Sequence, residues 1–377
     1  MIYLDAAATT PVKREVLEAM WPYLTGDFGN PSSHHTVGES AAGALKDARA
    51  TVARWLDCRA SEVVFTAGGT EADNLAIKGI ALATPRGRHI VTTRIEHEAV
   101  LESCDYLRRH HGFEIDFAET DATGRVTPEA LARVLRPDTT LVSIAHANNE
   151  VGTVQPIAAL ASVAHAAGIP FHTDAVQSAG WLDTRVSTLG IDAMSISGHK
   201  LGAPKGVGVL FVRGRIPIEP LVHGGGQERG ARSGTENVAA AVGIAAAIGL
   251  LDQTQAARMA PLRDAFIVAV LAGVPDAALT GHPVERLPAT ASFVFPGTSG
   301  ESVLLQLEER GIVSSSGSAC AAGSDEPSHV LTALGYPAEL AQTAVRFSWG
   351  SDVTGEQLDS VKDAVIDAVS SVRGIRP

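Results

Sequence analysis

Residues 63–74 read Val63-Val64-Phe65-Thr66-Ala67-Gly68-Gly69-Thr70-Glu71-Ala72-Asp73-Asn74, an apolar run that stops at two glycines and passes into a helical pattern lasting to about Ala83. The β-branched run predicts a strand, and the change of period predicts a helix joined to it by a very short turn. The same alternation continues down the chain, with apolar runs at His89 to Thr93, Leu141 to Ala145, Ile169 to Thr173 and Val209 to Val212, separated by helical stretches. Such a sequence predicts an α/β fold around a mostly parallel sheet. Glycines at a strand-to-helix turn expose backbone N–H groups at the positive end of a helix. Gly69 and the Thr70 hydroxyl therefore offer a phosphate site, although the same turn also serves as a plain helix cap.

In open α/β sheets the ligand crevice lies at the carboxyl ends of the strands, so what emerges there is informative. His97 follows the His89 run in Arg94-Ile95-Glu96-His97, where it reads either as a cap or as a catalytic group. The Leu141 run leads into His146-Ala147-Asn148-Asn149-Glu150, and the Ile169 run delivers Asp174-Ala175-Val176-Gln177. An aspartate at the end of an apolar strand is costly to bury without a cation, and a protonated pyridine nitrogen is such a cation.

The segment Ser195-Ile196-Ser197-Gly198-His199-Lys200-Leu201-Gly202-Ala203-Pro204-Lys205-Gly206-Val207-Gly208 places a lysine among small polar residues and glycines. A lysine acts as a nucleophile only when its amine is deprotonated near neutral pH, which takes desolvation or neighbouring positive charge. His199 and Lys205 could supply that charge, and Ser197 and His199 offer hydrogen bonds to an anionic group.

Composition bounds the rest. The chain has 377 residues, 45% hydrophobic and 19% charged, enough for a large core and two domains. A net charge of −12 without clustered Lys and Arg argues against nucleic acid as the main ligand. The alanine-rich run Val238 to Leu251 is too short to span a bilayer and predicts a buried helix. The N-terminus shows no signal peptide, so a cytoplasmic location without membrane attachment is expected. Cys58, Cys104 and Cys320 are too few and too scattered for a disulfide framework or a CxxC site. His34 and His35 lack ligand-spaced partners, so no metal is expected.

These signals converge on pyridoxal 5′-phosphate, with Lys200 for the Schiff base, Asp174 for the ring nitrogen, Thr70, Ser197 and His199 for the phosphate, and His97 stacked on the ring. At this point a family resemblance becomes apparent. DAAATT, TAGGTEADN, EHEAVL, ANNEVGT, FHTDAVQ, SGHKLGAPKGVG, GGGQERGARSGTEN, SSGSACAAGSDEPSHVL and RFSWG follow one another in this order. Together they closely resemble the NifS/IscS-like cysteine desulfurases of the class V aminotransferase group, in the branch with the longer cysteine loop.

The resemblance implies the PLP-dependent fold type I. A large domain is expected at 14–252, and a smaller α+β domain at 1–13 and 253–377. It implies that Lys200 carries the cofactor and then shuttles the Cα proton, that Asp174 pairs with the pyridinium, and that Gln177 bonds the phenolic oxygen. His97 would stack on the ring and assist proton transfer. Thr235 would reach the neighbouring subunit's phosphate, which implies a homodimer, and Asn149 and Arg346 would hold the substrate carboxylate. Cys320, in a run of small residues expected to form a mobile loop, would take sulfur from L-cysteine as a persulfide, release L-alanine and pass the sulfur to an acceptor protein. Iron–sulfur assembly, tRNA thiolation and DNA phosphorothioation all draw on such enzymes.

Two departures from the family pattern stand out: Ala6 replaces the usual asparagine of DNAATT, and Asp73 takes the first asparagine position of GGTEANN. The alternatives are a selenocysteine lyase, another class V aminotransferase or lyase in which Cys320 is a bystander, and a catalytically silent scaffold of the same fold.

Overall fold

The computed structural model describes residues 1–83, 86–317 and 326–374. The short strand β1 (Ile2–Tyr3) opens the chain. Next come β2 (Val63–Thr66), β3 (His89–Thr92), β4 (Glu114–Phe117), β5 (Thr139–Ser143), β6 (Phe171–Asp174), β7 (Ala193–Ser197) and β8 (Gly208–Val212). The later strands are β9 (Ala278–Leu279), β10 (Thr290–Val294), β11 (Ile312–Val313) and β12 (Ala344–Ser348).

Strands β2 to β8 form one sheet in the order β2-β8-β7-β6-β5-β3-β4. Neighbours from β4 through β7 pair in parallel, whereas β8 is antiparallel to both β7 and β2. The mostly parallel sheet expected from the alternating pattern is therefore present. Most of its strands are buried on both faces, and this explains why they read as continuous apolar runs instead of alternating ones.

Strand limits shift slightly for local reasons. Strand β6 begins at Phe171 and not at Ile169, because Pro170 has no N–H to give to a ladder. Strand β3 stops at Thr92, since the Thr93 hydroxyl turns to donate to Glu96 Oε1 at 2.6 Å. Strand β5 runs from Thr139 to Ser143 and not from Leu141 to Ala145, and the Ala145 amide donates to Glu96 Oε2 at 2.9 Å.

The alanine-rich run forms the helix Val238–Gly249, buried along most of its length among Arg14–Thr25 and Thr36–Leu56. Its small side chains let the three helices approach closely; a Cβ on Gly243 would meet Met20 Sδ at 2.6 Å.

A second core surrounds the antiparallel sheet β12-β10-β9, packed against the helices Gln255–Gly273, Gly300–Glu309 and Gly355–Gly374. Phe266 meets Phe347 edge-on at 5.5 Å and Trp349 at 5.9 Å, a geometry that aromatic quadrupoles favour. The beginning of the chain belongs to this core as well. Strand β1 pairs in parallel with β11, and Leu4 is fully buried among the same aromatic side chains.

Phe347 has no solvent exposure. Phe347→Ala is expected to lower the stability of the cofactor-free protein by about 3–5 kcal/mol. Urea unfolding followed by circular dichroism measures this, and a loss below about 1 kcal/mol would contradict the packing described.

Candidate functional site

The carboxyl ends of β6 and β7 lie side by side, with Asp174 opposite Ser195 in register. Above them opens a cavity of 320 Å³ lined by Gly69, Thr70, His97, Asn149, Asp174, Gln177, Ser197, His199, Lys200 and Arg346. Ten of the residues expected from the sequence thus come together from separate loops. Thr235 is exposed and does not line the cavity of its own chain. Cys320 falls outside the described residues, as does most of the loop of small residues around it.

Each element contributes for a physical reason. The helix Gly69–Ala83 starts at the cavity wall, where the first amides of a helix have no partner within it. A Cβ on Gly69 would stand 2.7 Å from Val176 Cγ2 and 3.3 Å from Ser197 Cβ, so the turn leaves room for nothing larger than glycine. His97 is the N-cap of the helix Glu98–His111, and its Nδ1 accepts from the Ala99 amide at 3.0 Å. The two readings of His97 are therefore compatible. With Nδ1 accepting, the neutral ring carries its proton on Nε2.

Lys200 ends a single turn of 3₁₀ helix after β7. Its amine donates to the carbonyl oxygens of Ala7 and, at 2.7 Å, Ala8, and Gln177 Nε2 donates to the Ala7 oxygen at 3.0 Å. The small-residue N-terminal segment thus forms one wall of the site. Its backbone carbonyls left no mark in the residue types, so sequence reasoning missed this wall.

The expected role of His199 as a source of positive charge for Lys200 is corrected by its surroundings. Burial, followed by the charges of Lys200 and Lys205, pushes its pKa down to about 4, so it is neutral at physiological pH. Its ring instead meets Thr9 Oγ1 at 3.1 Å, and its backbone oxygen accepts from Thr10 Oγ1 at 2.7 Å, which ties the N-terminal segment to the lysine turn.

Arg346 on β12 is buried. It donates to the Asn149 oxygen at 2.8 Å and pairs with Asp5 at 2.7 Å, while its Nε makes no hydrogen bond. A guanidinium that lines the cavity suits a substrate carboxylate.

Two further carboxyls, Asp73 and Glu96, lie beside Asp174. Neither was assigned a role from the sequence: Asp73 stood out only as a departure within the GGTEANN pattern, and Glu96 only as the residue before His97. Burial raises the pKa of all three, and for Glu96 it reaches about 8. The nearby charges of His97 and Lys200 oppose the rise at Asp174, as does a 2.8 Å bond from the Val176 amide.

A larger open depression of 430 Å³, lined by Cys58, Arg59 and Arg213, lies at the other end of the sheet. There Arg59 already pairs with Glu62 at 2.8 Å, and burial pushes the Cys58 thiol up to about 12, so this depression offers no reactive group. Cys104 is buried and its thiol is likewise pushed up to about 12. Both cysteines behave as packing residues.

The donor set of the cavity fits pyridoxal 5′-phosphate on the structure's own terms. A buried carboxylate at the floor, an amine at the wall and a glycine-bounded helix start answer to ring nitrogen, aldehyde and phosphate respectively.

Comparison with known proteins agrees. Residues 2–361 match the family model "Aminotransferase class-V". The chain is 46% identical over 381 aligned positions to the cysteine desulfurase IscS of Dictyoglomus turgidum (strain DSM 6724 / Z-1310), with all of this chain and 96% of that relative covered. Among solved structures, a NifS-like protein superposes with a TM-score of 0.90 at 36% identity, covering 98% of this chain and 99% of that one. A structure described as SspA in complex with cysteine gives 0.82 at 38% identity over 92% of this chain and 98% of that one.

Glu96 supplies a test of the buried carboxyls. Its pKa is raised on folding, so its contribution to stability is full below the unfolded value near 4.5 and is lost as pH rises through about 8. Glu96→Gln, which mimics the neutral acid, is expected to gain thermal stability relative to the parent between pH 5 and pH 8 in the cofactor-free protein. A difference in Tm that stays constant with pH would contradict this.

Proposed function

The chain belongs to the class-V aminotransferase family, in its cysteine desulfurase branch of pyridoxal-phosphate enzymes, and from that premise we propose that Cys320 takes the sulfur of L-cysteine. The observation that carries the reading is the meeting of Lys200, Asp174, His97 and the Gly69 turn around one cavity. These four come from separate parts of the sequence, and a scaffold without chemistry has no need to bring them together.

Asp174 would hold the ring nitrogen, Gln177 the phenolic oxygen, and Gly69, Thr70, Ser197 and His199 the phosphate, with His97 over the ring. When bound, the cofactor supplies an electron sink that lets the substrate Cα–H bond ionise. Lys200 Nζ takes the Cα proton and later returns a proton to the product. The Ala7 and Ala8 carbonyls orient that amine from the side of the N-terminal segment. Arg346 and Asn149, which both line the cavity, hold the substrate carboxylate.

The Cys320 thiolate attacks the substrate sulfur. An S–S bond forms and the substrate C–S bond breaks, so the enzyme keeps Cys320–S–SH and the carbon skeleton leaves, protonated, as L-alanine. The persulfide then passes to an acceptor protein.

The arrangement also supports a homodimer. Leu17, Trp21, Leu24 and Phe28 form an exposed apolar stripe along and just beyond the helix Arg14–Thr25, with Trp21 66% and Phe28 71% exposed. Apolar stripes of this kind mark protein contacts. Thr235, exposed in its own chain, would then serve the neighbouring subunit's phosphate site. The separate aromatic core that includes Leu4 supports a division into a large domain at 14–252 and a smaller one at 1–13 and 253–377. No helix among the described residues is long and apolar enough to cross a membrane. A cytoplasmic, reducing setting suits a working thiol.

Two measurements test this function. Incubation of the yellow protein with L-cysteine should give alanine and protein-bound persulfide, and Cys320→Ala should keep the colour while losing nearly all of both products. Colour without alanine from either form would overturn the desulfurase reading. Arg346→Lys, which removes the planar guanidinium fork, should raise KM for cysteine by about tenfold or more. An unchanged KM would remove Arg346 from substrate binding.

A further inference from the structure

Asp73 lines the cavity beside Asp174, yet the proposed chemistry gives it no task. It lies four residues after Gly69 on the helix Gly69–Ala83, so the helical period puts both on the face turned to the site. The residue is 1% exposed, and its Oδ1 makes no hydrogen bond.

The groups that face it are few. From β6 come Asp174 and His172, from β7 the Ser195 hydroxyl, whose hydrogen bond to the Asp73 carboxyl is outweighed by burial and the Asp174 charge, and from the turn after β3 comes Glu96. The nearest ring atom, His172 Nε2, is 3.7 Å from Asp73 Oδ1. That ring is held between Ser143 Oγ at 2.9 Å and Ser195 Oγ at 3.0 Å, and burial pushes its pKa down to about 3. His172 is therefore neutral and gives Asp73 no counter-charge. Lys200 and His97 act on Asp174. Asp73 thus faces two other carboxyls and no cation. Ionised carboxylates do not persist in such a place, and neighbouring carboxyls settle on a shared charge.

We propose that Asp73 is a positioning residue of the cofactor site: a neutral carboxylic acid that offers its proton to Asp174 and so keeps the negative charge of the pair on the carboxylate assigned to the ring nitrogen. This rests on the assignment of Asp174 made above. A hydrogen bond given to a carboxylate stabilises its ionised form, so Asp73 protects the Asp174 charge as pH falls.

Two variants separate the possibilities. Asp73→Asn keeps a neutral donor, and Asp73→Leu keeps the volume without one. Pyridoxal 5′-phosphate binding to the cofactor-free protein is followed by fluorescence between pH 5 and pH 9. The Asp73→Asn profile is expected to follow the parent, with affinity within about threefold at neutral pH. In Asp73→Leu the acid limb, where affinity falls as Asp174 protonates, should move up by about one pH unit. An Asp73→Asn variant as damaged as Asp174→Asn would place the charge on Asp73 and overturn the proposal. An unmoved acid limb in Asp73→Leu would make Asp73 a spectator and overturn it equally.

Infrared difference spectra of the cofactor-free parent and Asp73→Asn at neutral pH provide a readout independent of the cofactor, and one that stands if Asp73→Leu does not fold. The parent should show the carbonyl stretch of a protonated carboxylic acid that the variant lacks. Absence of that band overturns the proposal. Failure of the parent itself to bind pyridoxal phosphate would instead sink the assigned function, and the infrared result would still judge Asp73.

Discussion

Three carboxyl groups are buried together at the carboxyl end of the sheet, and fewer cations reach them than charges they could carry. Asp174 draws on His97 and Lys200, Glu96 on hydrogen bonds from Thr93 and Ala145, and Asp73 on no cation. Burial of unmatched charge is among the most expensive arrangements a fold can hold, so the cluster favours states in which protons or a cationic ligand make up the deficit. A pyridinium ring would do so at Asp174. The site is in this sense built for a cation it does not itself contain, and the stability of the cofactor-free protein should carry that deficit as a dependence on pH.

The large sheet was legible because its physics is local. A parallel sheet covered on both faces needs continuous apolar strands and returning helices, and both are periodic features of the chain. The residues at the strand ends were legible for the same reason: once Val63 to Thr66 is a strand and residue 71 lies in a helix, the Gly69 turn has only one place to be. Asp174 and His97 follow by the same argument. The small antiparallel sheet was harder to read. Strands β9 and β11 have two residues each, and β10 pairs with β12 across about fifty residues of sequence, a relation that no local pattern encodes.

Within the site, residue type was a good guide to the side chains that line the cavity and a poor one to groups that act through others. The Ala7 and Ala8 carbonyls belong to every residue alike, so nothing in DAAATT announces that they hold Lys200. Asp73 stood out only as a departure from a family pattern, near the Gly69 turn, although it lies buried beside Asp174. His199 shows the opposite failure. Its type suggested charge, but the burial that brings it to the site removes the charge, and a neutral histidine then serves as a tie to Thr9 and Thr10.

These ties explain how chemistry and architecture are coupled. Leu4 is anchored in the aromatic core, Asp5 pairs with Arg346 on β12, and two residues later Ala7 meets Lys200 and Gln177. Within five residues, the N-terminal segment therefore touches the packing of one core, the proposed substrate-carboxylate site and the proposed catalytic amine on the other. A shift of β12 relative to the large sheet would be felt at Lys200 through backbone carbonyls that have little freedom to adjust. The two halves must accordingly be held in register for the amine to be correctly aimed.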